Sequence, residues 1–488
     1  MTQESSKTWF GHPVGLSTLF FTELWERFSY YGMRALLVLF MMDNIDKGGF
    51  EMDQKTASSI YGLYTAFVYL ACLPGGWIAD RLLGAQRAIW IGGLIIAAGH
   101  FTLAIPSKPT FFLGLVLVVI GTGFLKPNIS AIVGQLYPEG GARRDAGFTI
   151  FYMGINAGAF IGPLICSALG EKVNWHLGFG AAGVGMLAGV IQYHYSVVHL
   201  GDAGRTPETP GTKAESNLAL AGFGAIAVVV ILALAGVFKI DAPALAEYTT
   251  YVIVGLAAAF FIYVFVFGRL NPTEAKQTFV IVVLFVGSAM FWSGFEQAGS
   301  SLNIFADEHT NRMVLGWEIP AGWFQSLNPF YIIVLAPLFA SLWVKLAKHL
   351  MDPSIPAKFG IGLVLLGLGF LVMVEAANLV TDGGKAGPYW LILTYLLHTM
   401  GELCLSPVGL SSVTKLSPKR FVGQMMGIWF VGAALGNLIA GRLAGRFDPE
   451  SLADMPGLFF QIVLTTVGTG IILLIFTKPI KKLTGNIK

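Results

Sequence analysis

The chain has 488 residues, 55% hydrophobic and only 12% charged, with a mean hydropathy of +0.68 and a formal net charge of +3. A soluble domain carries about a quarter charged residues, so a water-soluble fold is excluded, and so small a net charge leaves no basic footprint for nucleic acid. Apolar runs of about 20 residues, enough to cross a bilayer core of about 30 Å, recur along the chain. Continuous apolar runs at 219 to 238 and 251 to 268 exclude the short alternating segments of a β-barrel, so the sequence reads as an all-α polytopic membrane protein.

In chain order, the polar stretch from Met1 to His12 lacks an apolar core with a cleavage site. No signal peptide is expected to be removed, and the first helix directs insertion. Fourteen spans are predicted: 15 to 42, 55 to 80, 86 to 105, 109 to 137, 145 to 169, 174 to 196, 217 to 238, 247 to 268, 277 to 302, 321 to 347, 358 to 379, 388 to 416, 421 to 444 and 456 to 477. Of the 31 Lys and Arg, 19 fall on the side of the termini, including Lys7 and Lys488, nine on the other side and three inside spans. The positive-inside rule therefore makes both termini cytoplasmic. Residues 197 to 216, rich in Gly, Pro and Thr, read as a cytoplasmic linker. The two spans after it carry almost no polar side chain, so they are expected to face lipid outside the working core. Setting that pair aside leaves six spans on each side. The expected organisation is an N-terminal six-helix bundle (1–200), a linker with two extra helices (201–270) and a C-terminal six-helix bundle (271–488), with a midplane site. Cys72, Cys166 and Cys404 lie inside apolar segments with no metal-ligand spacing and read as packing residues.

Ionisable residues deep in a span are functional candidates, because a charge at the bilayer centre costs at least about 2.5 to 3.5 kcal/mol. On the first span Glu23, Glu26, Arg27, Tyr30 and Arg34 share one helical face, with Gly32 on the opposite side where it permits close packing. Mutual neutralisation of Glu23, Glu26 and Arg27 is the bland reading, although one ion pair would suffice for that. On the fourth span Lys126 precedes Pro127, which bends the helix and frees a carbonyl. Lys126 sits about ten residues from either end, too deep for easy snorkelling, and a carboxylate such as Glu23 or Glu26 can keep it charged. In the second half Glu296 lies one turn from Trp292, and Tyr395, His398, Glu402 and Ser406 form another single-face stripe. His398 reads best as an interhelical hydrogen-bonding residue; Asn156, Asn328 and Trp429 fit ordinary helix contacts as well as a site. The pattern is bipolar, with Arg34 and Lys126 in one half and Glu296 and Glu402 in the other, which suits a zwitterion. An extended dipeptide spans at most about 7 Å and a tripeptide about 10 Å. A carboxyl in a low-dielectric cavity can also carry a proton, and one charge moving down the membrane potential gains about 2.3 kcal/mol per 100 mV.

Glu23-Leu24-Trp25-Glu26-Arg27-Phe28-Ser29-Tyr30-Tyr31-Gly32 resembles the ExxERFxYYG signature of the proton-dependent oligopeptide transporters, a branch of the major facilitator superfamily. Gly75 to Gly84, with Arg87 after it, resembles the superfamily's loop between helices 2 and 3, and Phe148 to Phe160 is similar to the family's fifth-helix motif. The two apolar spans resemble the extra helix pair of bacterial members, and the likeness covers essentially the whole chain. The resemblance implies the major facilitator fold, with two six-helix bundles plus two extra helices. It implies that Glu23, Glu26, Arg27 and Lys126 form a proton-coupling network and that Glu296 is a proton site exchanging partners with Arg34. It assigns Arg34 and Lys126 to the peptide carboxylate, and Glu402 with Asn328 to the amino end. Tyr30, Tyr31, Tyr69, Asn156, Trp292, Ser406 and Trp429 resemble lining residues. Asp80, Arg81 and Arg87, at the cytoplasmic ends of spans two and three, can pair with helix ends and lock one state. One departure is that the histidine which animal members place in helix 2 is missing from residues 55 to 80, so coupling here rests on carboxylates.

The expected function is symport of di- and tripeptides with protons by alternating access, in a bacterial inner membrane, by a monomer needing no cofactor or metal beyond the coupling proton. The alternative is proton-coupled uptake of a peptide-like drug, an amino acid or nitrate, and Glu402 argues against nitrate because an anion offers a carboxylate nothing to hold. An intramembrane enzyme is disfavoured, since there is no HExxH and no Ser or Cys in a recognisable catalytic motif. A receptor that binds without transporting is the remaining class.

Overall fold

The computed structural model describes residues 8–446 and 452–484; Lys7 and Lys488 lie outside the described residues. The helices are α1 (Gly15–Met42), α2 (Gln54–Ile78), α3 (Ala85–Leu103), α4 (Lys108–Gln135), α5 (Gly141–Lys172), α6 (Trp175–Ser196), α7 (Lys213–Leu234), α8 (Ala242–Phe267), α9 (Pro272–Phe295), α10 (Ser301–Glu308), α11 (Leu327–Lys348), α12 (Ile355–Thr381), α13 (Tyr389–Leu416), α14 (Val422–Ala444), α15 (Met455–Ile475) and α16 (Thr477–Leu483). Among the described residues, every predicted span has a long helix.

Local chemistry sets several of the starts. Asn271 and Glu274 form a reciprocal capping box at α9, with Pro272 in the first turn, and Thr212 and Glu215 form another at α7. Asn174 caps α6 by accepting from the His176 amide at 2.9 Å. Two features departed from the predicted spans. The predicted helix over 277 to 302 is broken: α9 ends at Phe295, a tight turn runs over Glu296–Gly299, and α10 begins at Ser301. Polar side chains brace the turn. Gln297 Nε2 donates to the Ser293 and Ala440 carbonyls at 3.2 and 3.1 Å, and Ser301 Oγ donates to Gln297 Oε1 at 2.6 Å. Two small hairpins, Thr8–Trp9 with His12–Pro13 and Met313–Val314 with Trp317–Glu318, lie in segments too short for hydrophobic periodicity to reveal.

Among the described residues, ten helical stretches are long and apolar enough to cross a membrane. Helix α1 is not among them because Glu23, Glu26, Arg27 and Arg34 interrupt it. The chain forms two compact units, Met1–Phe50 with Phe67–Asp241, and Glu51–Ala66 with Ala242–Lys488.

In the first unit α1 packs on α5 and α6, and α3 on α4 and α6. The α1–α5 contact is backbone against backbone. A Cβ at Gly162 would lie 3.0 Å from the Gly32 amide, one at Gly158 would meet the Leu24 carbonyl, and Gly32 itself seats against Cys166. Glycine at these positions lets the axes approach closely, as in other membrane helix pairs. The α3–α4 crossing uses Gly92 and Gly121 in the same way, each facing the other's carbonyl.

In the second unit α12 packs on α13 and α15, and α9 and α8 on α14. Helix α8 buries one stripe, Ala246, Thr250, Ile253, Ala257, Phe261 and Val264. Arg442 of α14 pairs with Glu247 at 3.2 Å and lies over Tyr251, pinning α8 at one end. Helix α7, in the first unit, buries none of its residues among those described.

Candidate functional site

The charged stripe of α1 lies on the face away from Gly32, and it is buried. Glu23, Glu26 and Arg27 expose 3%, 0% and 4% of their surface. The Arg27 Nε–H donates to Glu26 Oε2, and the same nitrogen forms an ion pair with Glu23 Oε1 at 3.1 Å. The second oxygen of each carboxyl has no hydrogen-bond partner among the described residues, which leaves an atom on each acid where a proton can sit. Lys126 of α4, beside the Pro127 bend, acts electrostatically on Glu23. One guanidinium therefore balances two acids, with a lysine as the fourth charge. Loss of either partner would leave an uncompensated charge in a low-dielectric interior.

Aromatic faces hold the cations around this network. The Arg27 guanidinium lies 5.2 Å from the Tyr30 ring centroid and 6.0 Å from that of Tyr31. Arg34 lies 5.2 Å from the Tyr31 ring, so Tyr31 lies near two arginines that sit two turns apart on one helical face. Lys126 Nζ stands 4.0 Å over Tyr69 of α2. Ring quadrupoles attract a cation electrostatically without forming an ion pair. Asn156 of α5 is buried and donates to the Tyr152 carbonyl of its own helix at 2.9 Å.

The second unit carries an acidic and amide set. Asn328 Nδ2 of α11 donates to Glu402 Oε2 at 2.9 Å and to Thr399 Oγ1 at 3.0 Å, joining α11 to α13. Glu402 and the nearby Thr399 share the α13 face that also carries Tyr395, whose hydroxyl donates to the Ala298 carbonyl at 3.4 Å. Glu296 is buried in the turn that breaks α9 from α10. Trp292 is half-buried one turn earlier, where its Cβ lies 2.5 Å from the position a Cβ of Gly436 would take. Trp429 of α14 meets Phe359 at 6.2 Å between ring centroids and covers Gly409 of α13. Ser406 is half-buried on α13. His398 is bonded to the Leu366 carbonyl of α12 and stands 4.8 Å from the Phe370 ring, an interhelical packing role.

At the α2–α3 turn, Asp80 and Arg87 are exposed, while Arg81 donates to Glu215 Oε1 through Nη2 at 2.7 Å and Nε at 3.1 Å. Three residues in these clusters escape a reading by charge alone: Gln297, Thr399 and Glu215. Thr399 shares the Glu402 face, so helical spacing carried its signal. Glu215 ends the Thr-x-x-Glu pattern before an apolar run, the mark of a capping box. Gln297 is a neutral amide, and no sequence pattern distinguished it.

Long helices whose buried charges meet in membrane-embedded clusters define a multi-pass membrane transporter with the major facilitator fold. The family model described as POT family matches residues 86–453, and the chain belongs to that family. It is 42% identical to the peptide transporter YePEPT of Yersinia enterocolitica over 98% of this chain and 97% of that one. It is 38% identical to a di-/tripeptide transporter of Lactococcus lactis subsp. cremoris, over 99% of each. The crystal structure of a mutant peptide transporter POT in complex with alafosfalin matches with a TM-score of 0.91 at 42% identity, covering 99% of this chain and 98% of that one.

Proposed function

We propose that the chain is a proton-coupled symporter that imports di- and tripeptides by alternating access of two six-helix bundles, driven by an inward proton gradient. The observation that carries this reading is the buried network in which Arg27 bridges Glu23 and Glu26 with Lys126 nearby. Peptide transport by relatives of nearly the same length supports the substrate. Arg34 and Lys126 take the peptide carboxylate, and Glu402, oriented by Asn328, takes the ammonium. Tyr30, Tyr31, Tyr69, Asn156, Trp292, Ser406 and Trp429 accept the varied side chains. Protonation of the Glu23, Glu26 and Arg27 network, with Glu296 as a second proton carrier, couples the gradient to the cycle, and Asp80, Arg81 and Arg87 gate it. Both termini are cytoplasmic in a bacterial inner membrane, the working unit is a monomer, and the peptide crosses without chemical change or any cofactor.

Proteoliposomes with an inward proton gradient are expected to accumulate labelled dialanine, and absence of uptake would end this reading. Glu26→Gln should abolish gradient-driven uptake while peptide exchange persists. Equal loss of both would remove Glu26 from coupling. The alafosfalin-bound relative favours a second cargo class, peptide-like drugs. Competition of dialanine uptake by alafosfalin, but not by nitrate, is expected.

A further inference from the structure

The segment between α6 and α7 has the composition of a loose linker, yet it is bonded along its length to the α2–α3 turn. Gln86 donates its amide to the Gly204 carbonyl at 2.8 Å and its side chain to the Gly201 and Ala203 carbonyls at 3.0 and 2.8 Å. The Thr209 and Gly211 amides donate to the Asp80 and Arg81 carbonyls at 3.2 and 2.6 Å. At Gly84 the backbone has φ +79°, and a Cβ would fall 2.8 Å from the Arg205 carbonyl, so the crossing leaves no room for a side chain. The chain then enters α7, whose first turn supplies Glu215. That carboxylate accepts Thr212 N–H through Oε2 at 2.6 Å and Arg81 through Oε1. A little further along α7, Phe223 stacks on Phe124 with ring centroids 5.8 Å apart.

We propose that residues 201–215 are a strap over the α2–α3 turn, closed by Glu215 as a releasable latch on Arg81, and that this latch slows the transport cycle by occupying a gating arginine. The backbone bonds register the strap, but the Arg81 and Glu215 pair is the contact that can open. Their side chains are 31% and 24% exposed, so water can replace each partner with little penalty, which a buried pair would not allow. Glu215 thus competes with any other partner of Arg81. The apolar α7 makes that competition local, because it anchors the carboxylate beside the turn.

The effect on turnover rests on the gating role proposed for Arg81; the strap does not. The three native cysteines are buried, so an Ala203→Cys reporter, half-buried where the strap packs on the core, is selectively labelled by a membrane-impermeant maleimide when the strap lifts. Glu215→Gln should speed that labelling about two- to fivefold, as loss of a partly exposed ion pair allows. It should raise the Vmax of dialanine uptake by a similar factor with KM unchanged, and both effects should vanish when Arg81→Gln is already present. Unchanged labelling in folded Glu215→Gln protein, a lower Vmax, or the same change in the Arg81→Gln background would overturn the latch. Should Glu215→Gln fail to fold, Glu215→Asp, which keeps the charge but shortens its reach, should still label faster than wild type, and wild-type labelling there counts against the latch. Wild-type turnover in Arg81→Gln alone would remove the gating role and leave the labelling rates to judge the strap.

Discussion

Helices α1 and α7 belong to the same unit and both have the length of a membrane span, yet they solve opposite problems. Helix α7 is apolar beyond its first turns, buries none of its described residues, and touches the rest of its unit through its capped end, Ala219 and Phe223. Helix α1 carries four ionisable side chains and buries most of its length. By hydropathy alone α7 is the better membrane helix and α1 the worse. The difference shows that in a bilayer an apolar helix needs no protein partner, whereas a charged one must be enclosed. The glycines of α5 bring its backbone against one side of α1, while the acids, arginine and tyrosine rings satisfy one another on the other.

This contrast can be broken most forcefully at Arg27. Arg27→Ala strands two buried carboxylates and is expected to abolish uptake and to cost about 3 to 5 kcal/mol, read as a fall in the thermal unfolding midpoint in detergent. A variant that kept wild-type stability would mean the three charges are independent. Next comes the glycine side of α1. Gly158→Ala places a methyl group against the Leu24 carbonyl and should cost about 1 to 3 kcal/mol by the same assay, with dialanine KM moved less than Vmax. Arg34→Ala leaves the Glu23, Glu26 and Arg27 cluster intact and removes a cation proposed to take the peptide carboxylate. A KM for dialanine raised about tenfold, equivalent to about 1.4 kcal/mol, is expected at nearly unchanged unfolding temperature. An unchanged KM would take Arg34 out of the binding set. The smallest effect belongs to α7, where exposed Leu218→Ala or Leu220→Ala should shift stability by less than about 0.5 kcal/mol and leave KM alone. A large loss there would show that α7 is more than a lipid-facing helix with one anchored end.

The two clusters were legible to different degrees. The stripe from Glu23 to Arg34 was visible because helical spacing alone puts those residues on one face, and Gly32 on the opposite side announced the packing side. The pairing of one arginine with both acids was less evident, since spacing makes contact possible without choosing among partners. The break at Glu296 was hidden for another reason: the Gln297 side chain that braces it donates to a carbonyl of α14, 143 residues away in sequence. Glu402 was expected as a site residue, but its orientation by Asn328 and Thr399 joins two helices more than seventy positions apart.

Length, hydropathy and charge distribution determined by themselves that this chain crosses a membrane many times through helices, because transfer of a span into lipid depends on the composition of that span alone. Helical periodicity likewise determined that the charges of α1 share a face. Only the tertiary structure decided the partners: Arg27 for two glutamates, tyrosine rings for the cations, Asn328 for Glu402, and Glu215 for an arginine 134 residues away. Membrane burial is a local free energy summed residue by residue, whereas an ion pair or a helix break depends on which distant segment packs beside it.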